Sequence, residues 1–183
     1  NDIEIVKPSV ISSILEIIKA RLDARSSFFE CTFPYFISKK SPVSHSVSPL
    51  KIEAAIMAQK KDDEDKMFIG VNVPVQTLCP CSKAISQFGA HNQRANIKIL
   101  AETPKRIWFE HLVEIAEKSA SSPVYSLLKR EDEKYVTEAA YNKPKFVEDV
   151  ARDAALFLEE EDGIKWYRVE VESFESIHNH EAF

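Results

Sequence analysis

The stretch Leu78-Cys79-Pro80-Cys81-Ser82-Lys83-Ala84-Ile85-Ser86-Gln87-Phe88-Gly89-Ala90-His91-Asn92-Gln93-Arg94 decides how this chain is read. It gathers two thiols, an imidazole, two serines, three amides and two cations into seventeen residues. Just upstream, Val71-Asn72-Val73-Pro74-Val75 carries valines at period two and reads as the end of a strand. Just downstream, Ala95 to Ala101 reads as another strand, with Ile97, Ile99 and Ala101 on one face. The polar cluster is therefore expected in a connection between two strands, where a rigid scaffold can aim side chains at a ligand. A thiol at Cys79 or Cys81 with the imidazole of His91 supplies half of a metal site, because thiolate and imidazole suit a borderline-soft divalent ion. Spacing alone does not close that site, since no second cysteine pair follows. A buried thiol beside a turn-forming histidine is the competing reading.

Working outward, Pro8 opens a helix in which Val10, Ile11, Ile14, Leu15, Ile18 and Leu22 recur at helical spacing. A strand is expected over Phe28 to Ser38, interrupted at Pro34, then a Ser/Pro loop over Ser41 to Pro49. Lys51 to Gln59 and Met67 to Val75 read as a strand pair, with the charged run from Lys60 to Lys66 as its turn. Beyond the central stretch, Thr103-Pro104 reads as a helix start, continued by Trp108, Leu112, Ile115 and Ala116. Ser122-Pro123 repeats that signal before a short helix over Val124 to Leu128. Asn142-Lys143-Pro144 opens a further helix to about Glu160, with Phe146, Val150, Ala154, Phe157 and Leu158 inward and Gly163 as its stop. Ile164 to Phe174 then alternates, with Tyr167, Val169 and Val171 on one face. The order predicts an α+β fold: antiparallel strands with helices packed on one side.

Composition narrows the function classes. At 183 residues the chain can bury one sizeable core or two small modules, and 44% hydrophobic with 29% charged residues is ordinary for a globular protein. A net charge of −5 argues against nucleic acid as a partner, since such binders carry a basic face. Three cysteines, two of them separated only by Pro80, make no disulfide framework, so a cytoplasmic setting is expected. No apolar run can span a bilayer and no secretory leader is evident, so no membrane partner is expected. Only Gly70, Gly89 and Gly163 are glycines, so neither a P-loop nor a Gly-x-Gly-x-x-Gly turn can be written. Any bound nucleotide is held in another way.

Leu78–Lys83 followed by Gly89–Arg94 resembles the signature of the type IB GTP cyclohydrolases. Thr32-Phe33-Pro34-Tyr35-Phe36, Leu127-Leu128-Lys129-Arg130, Glu133-Lys134-Tyr135-Val136-Thr137-Glu138, Lys145-Phe146-Val147-Glu148-Asp149 and Glu175-Ser176-Ile177-His178-Asn179-His180 are similar to the same family. The resemblance implies the tunnelling fold, in which β-β-α-α-β-β units from several subunits close into barrels. It also implies two such units in tandem. Residues 1–50 then read as the remainder of a first module, incomplete at its N-terminus, and residues 51–183 as the second, carrying the site.

The same resemblance implies one divalent ion per site, zinc, manganese or iron, on Cys79, His91 and Glu133. Three protein ligands leave a coordination position open for water, as in catalytic rather than structural sites. Spacing alone does not choose between Cys79 and Cys81, and Glu133 alone reads as a solvated carboxylate. Glu148 alone reads as a surface ion pair with Arg152; the resemblance makes it the guanine anchor, accepting from N1–H and the 2-amino group. His178 with Glu175 is the acid/base candidate, provided the last strand ends before them. Lys83, Arg94 and Lys40, among the cations Lys39, Lys129 and Arg130, are candidates for the triphosphate.

The implied activity is opening of the GTP imidazole ring after water attack at C8, releasing formate and giving 7,8-dihydroneopterin triphosphate, the entry to folate synthesis. The implied assembly is a homotetramer with sites at subunit contacts. Two other readings compete. One is a tunnelling-fold pterin synthase or nitrile reductase using Cys79 as nucleophile without metal. The other is a non-catalytic purine-binding module.

Overall fold

The computed structural model describes residues 8–62, 64–103 and 107–183. In chain order the elements are α1 Pro8–Leu22, β1 Ser26–Lys40, β2 Val47–Lys61, β3 Glu64–Leu78, α2 Pro80–Ile85 and β4 Asn92–Glu102. They continue with α3 Phe109–Ser119, β5 Ser122–Pro123, α4 Arg130–Asn142, α5 Val147–Glu159 and β6 Trp166–Ser173. The strands form one antiparallel sheet in the order β1-β2-β3-β4-β6, with β5 paired to β3. This is the expected α+β architecture, an open sheet covered by helices on one face and consistent with a tunnelling-type fold.

Period-two alternation decides which face is covered. Val71, Val73 and Val75 of β3, Ala95, Ile97, Ile99 and Ala101 of β4 and Val171 of β6 are all buried. They pack against Leu112, Val113, Ile115 and Ala116 of α3 and Val150 and Leu158 of α5. The opposite face carries Asn72, Lys98, Arg168 and Glu170 around an open hollow. Helix α1 makes a separate, smaller core: Ile11 and Leu15 on Ala58, flanked by Phe29, Ile56 and Met67. Of the apolar positions expected to point inward there, Val10, Ile14 and Leu22 are exposed, because α1 meets the sheet along a narrow seam.

Several expectations are corrected. β1 is uninterrupted at Pro34, which pairs with Glu53; β1 is an edge strand, where proline's missing N–H can face outward. β2 and β3 extend into the charged run, pairing Lys60 with Asp65 and Lys61 with Glu64, so the turn shrinks to the residues around Asp62, whose φ is 51°. β2 runs through residues 50 and 51 and pairs with β1 from Val47 to Lys61 without a break. The helix expected at Thr103-Pro104 begins only at Phe109, and Pro104 lies outside the described residues. Trp108 is its N-cap and is exposed. Ser122-Pro123 is a two-residue strand, not a helix start, because Val75 and Gln76 of β3 take it as partner. α4 was not among the expected elements: its residues carry few apolar positions, and only Asp132 and Ala140 are buried. α5 starts after Phe146, which is exposed, with Val150, Ala154 and Leu158 inward.

Candidate active site

Antiparallel pairing brings the functional stretches to one end of the sheet. Lys40 pairs with Val47, Leu78 pairs with Asn92, and Ser173 pairs with Ala95. The β1–β2 turn, the β3–β4 connection and the segment after β6 therefore emerge together. At this end β2 has left β3, whose ladder with it covers Glu53 onward, and β5 takes its place beside Val75 and Gln76. The sheet is opened where the site is built.

The β3–β4 connection is ordered by its own polar groups. Cys79 N–H donates to His91 C=O at 3.1 Å, continuing the β3–β4 ladder past its last pair. Cys79 caps α2, its sulfur accepting from Ser82 N–H at 3.4 Å, while Pro80 occupies the first helical position. His91 N–H donates to Ser82 Oγ at 3.2 Å. Gly89, at φ 114°, makes the return that a side-chain-bearing residue would resist. The two thiols thus separate: Cys79 is half-buried at the strand end, whereas Cys81 is exposed on α2.

Cys79, Thr77, Gln93, Phe146, Glu148 and Glu175 line one cleft of about 170 Å³. Lys145 docks the start of α5 against it, its N–H donating to Leu78 C=O at 3.0 Å and its ammonium pairing with Asp153. Glu148 lies in the first turn of α5. The ion pair expected between Glu148 and Arg152 is not the one formed: Arg152 donates to Asp149 Oδ1 at 2.8 Å. Glu175 also lines a second hollow, of about 380 Å³, with His178, Asn179 and His180. Glu175 is thus the wall shared by the Cys79 cleft and the histidine hollow. β6 ends at Ser173, so Glu175 and His178 are free of the strand alternation that would put them on opposite faces. The His178 and His180 rings lie 5.3 Å apart. Beyond them, Ala182 N–H donates to Ser173 C=O and Ser173 N–H to Ala182 C=O, folding the segment back on β6.

Glu133 does not line this cleft; it is exposed in the first turn of α4. It follows Asp132, which is buried and ties α4 to the β1–β2 turn by accepting from Val43 N–H, Ser44 N–H, Ser44 Oγ and Lys129 N–H. Burial pushes the Asp132 carboxyl up, but the donors from Ser44, Lys129 and Val43 outweigh it and hold it well below the usual carboxylate range. Among the described residues, no three His, Cys, Asp or Glu side chains converge closely enough to hold a metal ion. The donors fit a divalent ion in kind, a thiol and an imidazole on adjacent strand ends, but the third is not gathered beside them within one chain.

The cations sort by geometry. Lys39 is buried, paired with Glu117 and 4.4 Å over the Tyr125 ring. Burial lowers Lys39 and raises Glu117, each more than the other's charge offsets. Lys39 is a structural cation. Lys83 lies 4.2 Å over the Tyr141 ring and donates to Tyr141 C=O, bracing α2 on α4. Lys40 is exposed at the end of β1, and exposed Arg94 follows Gln93, on the other face of β4. None of these four lines the Cys79 cleft.

Sequence reasoning missed Gln93, Thr77 and Ser173 as members of the site. The signal was present: Gln93 lies two residues after His91, which on a strand puts both on one face.

Comparison with known proteins bears on this geometry. A family model described as type I GTP cyclohydrolase FolE2 matches residues 1–183. A Dictyoglomus turgidum protein named GTP cyclohydrolase FolE2 is 59% identical over 100% of this chain and 71% of its own length. Proteins of the same name from Thermotoga maritima and Caldicellulosiruptor bescii are 57% and 51% identical over 100% of this chain, covering 70% and 71% of their own lengths. The pterin synthase, nitrile reductase and non-catalytic readings are not favoured by these likenesses. With the family model matching from end to end and such identities across the whole chain, this protein belongs to the type I GTP cyclohydrolase family of the FolE2 kind.

Proposed function

We propose that this chain is a GTP cyclohydrolase that opens the imidazole ring of GTP, releases formate and yields 7,8-dihydroneopterin triphosphate, the first step of folate biosynthesis. The observation that carries the residue-level reading is the convergence of Cys79, Glu148 and Glu175 on one cleft, with His178 across the Glu175 wall. Glu148 accepts the N1–H and 2-amino donors of guanine in a bidentate, charge-assisted contact that adenine cannot match. His178 moves protons to and from the purine nitrogen and ribose oxygen. Glu175 stands between the two hollows and orients the groups around it.

Cys79 and His91 would hold a divalent ion, with Glu133 as the third ligand. When bound, such an ion supplies Lewis-acid activation of water. Thiolate and carboxylate ligands together match its two charges, so the site is hospitable to zinc, manganese or iron.

A second copy of the chain completes this site in our reading. The cleft of about 170 Å³ is below the roughly 300–1,000 Å³ of ligand sites, and Glu133 is not gathered with Cys79 and His91. Ile85 and Phe88, beside the cleft's connection, are 85% and 97% exposed, which suits coverage by another subunit in a homotetramer. The three described cysteines are free, and no helix among the described residues is long and apolar enough to cross a membrane, which suits a cytoplasmic place for the reaction. Incubation with GTP and manganese or zinc should give a pterin, fluorescent after oxidation, and one formate per turnover. Absence of both products with each metal would reject the proposal.

A further inference from the structure

The polar contacts around His91 form a chain with a direction. Gln93 Nε2 lies 3.4 Å from Glu175 Oε1 and 3.1 Å from Thr77 Oγ1. Gln93 Oε1 lies 2.9 Å from His91 Nδ1. Ser173 Oγ donates to Glu175 Oε1 at 3.4 Å and sits 3.3 Å from Thr77 Oγ1, steadying the far end of the chain. A carboxylate accepts and does not donate, so the amide nitrogen of Gln93 must face Glu175. Its carbonyl oxygen then faces His91 and can only accept. His91 Nδ1 must therefore carry the proton, leaving the lone pair on Nε2. Ser176 Oγ, 3.3 Å from the same Nδ1, is a weaker partner than Gln93 and a hydroxyl able to take either role.

We infer that Gln93 is a positioning residue that ties Glu175 to His91 and fixes the histidine tautomer whose Nε2 is free to bind a divalent ion. The inference rests on the reading above that His91 is a ligand, and it adds a residue that acts through another. A ligating histidine whose second ring nitrogen is held by a fixed acceptor binds metal more tightly, and loss of such a partner typically costs about 10–100-fold in affinity. The arrangement also couples two parts of the site. The segment bearing Glu175 and His178 is joined to His91 through the Gln93 amide and, more weakly, through Ser176 Oγ, so loosening the amide should disturb both parts.

The test begins on metal-free protein, uniformly labelled with ¹⁵N, under conditions where the ring is neutral. Long-range ¹⁵N–¹H correlations report the tautomer of His91, assigned by comparison with His91→Ala. The unaltered chain should show protonated Nδ1. Gln93→Met, similar in length but without polar atoms at its end, should lose that preference, and Zn²⁺ affinity from competition with a fluorescent chelator should fall about 10–100-fold. Gln93→Glu keeps an acceptor toward the ring and should keep the Nδ1–H tautomer. A proton on Nε2 in the unaltered chain, or an unchanged tautomer and affinity in Gln93→Met, would overturn the inference. If the unaltered chain binds no Zn²⁺, the ligand reading of His91 fails instead, while the tautomer measurement still decides the role of Gln93.

Discussion

The two ends of the sheet use polar residues in opposite ways. At the β2–β3 turn, Lys60 pairs with Glu16 at 2.8 Å and Asp65 at 3.1 Å, and Ser12 donates to Asp65. The hydrogen bond and charge of Lys60 lower Glu16, while the Ser12 hydroxyl and then Lys60 lower Asp65. These groups are charged, mutual and solvated, so water is a ready substitute for each partner. At the other end carboxylates such as Glu175 and Asp132 are held by backbone amides, hydroxyls and a carboxamide, and the ion pairs Lys39–Glu117 and Lys145–Asp153 are largely shielded from water. Water cannot replace them without changing geometry. The difference teaches that equal polarity gives surface tolerance at one end and a positioned site at the other, and the deciding variable is who the partner is.

The largest effect should come from Cys79. Replacing it by Ala should abolish both stoichiometric metal and GTP turnover, while Cys81→Ala, on the exposed side of α2, should keep most of each. Metal analysis and a formate assay on the two variants decide between them; unchanged metal in Cys79→Ala would remove the residue from the ligand set. Glu148 comes next. A charge-assisted bidentate contact is worth on the order of 3 kcal/mol, so Glu148→Ala should lower kcat/KM for GTP by about a hundredfold and leave metal content alone. Glu148→Gln should recover part of this, since its amide keeps one acceptor but turns a donor toward a donor. Near-normal turnover in Glu148→Ala would return the residue to the solvent-exposed face of α5.

A third prediction concerns stability rather than turnover. The Asp132 carboxyl is held below its ordinary value of 3.8, so its contribution is fully present above that pH and is lost as pH falls through the folded value. Acid unfolding followed by circular dichroism should therefore steepen below about pH 3.8 in the unaltered chain. Asp132→Asn should lower Tm at pH 7 by roughly 5 °C and flatten that acid limb. A variant with the same acid profile would break the link between this carboxylate and the β1–β2 turn. The smallest effect belongs to the far end. Lys60→Ala should leave Tm and kcat/KM within measurement error, and a loss of several degrees would erase the contrast between the two ends.

Much of this protein was legible in its residues because local periodicity is cheap to read. Valines at period two in β3, isoleucines at period two in β4 and the Tyr167, Val169, Val171 alternation identified the core strands and their covered face. Long strands were under-read where charge interrupts them, as at Lys60 to Lys66, since backbone pairing does not require apolar side chains. Helix α4 escaped because it is tied down by Asp132 docking on Val43 and Ser44, 89 and 88 positions away, which no local pattern encodes.

The candidate residues follow the same division. By itself the sequence determined which groups are available: two thiols, His91, Glu133, Glu148, Glu175 and His178, each within a stretch similar to one family. It also determined that no glycine-rich phosphate loop could be used. Only tertiary structure decided that Cys79 faces the cleft while Cys81 faces solvent, and that Lys39 is spent on Glu117. It alone joined Gln93 to both Glu175 and His91, and it left Glu133 exposed on α4, outside the lining of the Cys79 cleft. The physical reason is that reactivity depends on distances between side chains far apart in sequence, and those distances are fixed by strand register and helix docking. A residue's chemistry is local; its partners are not.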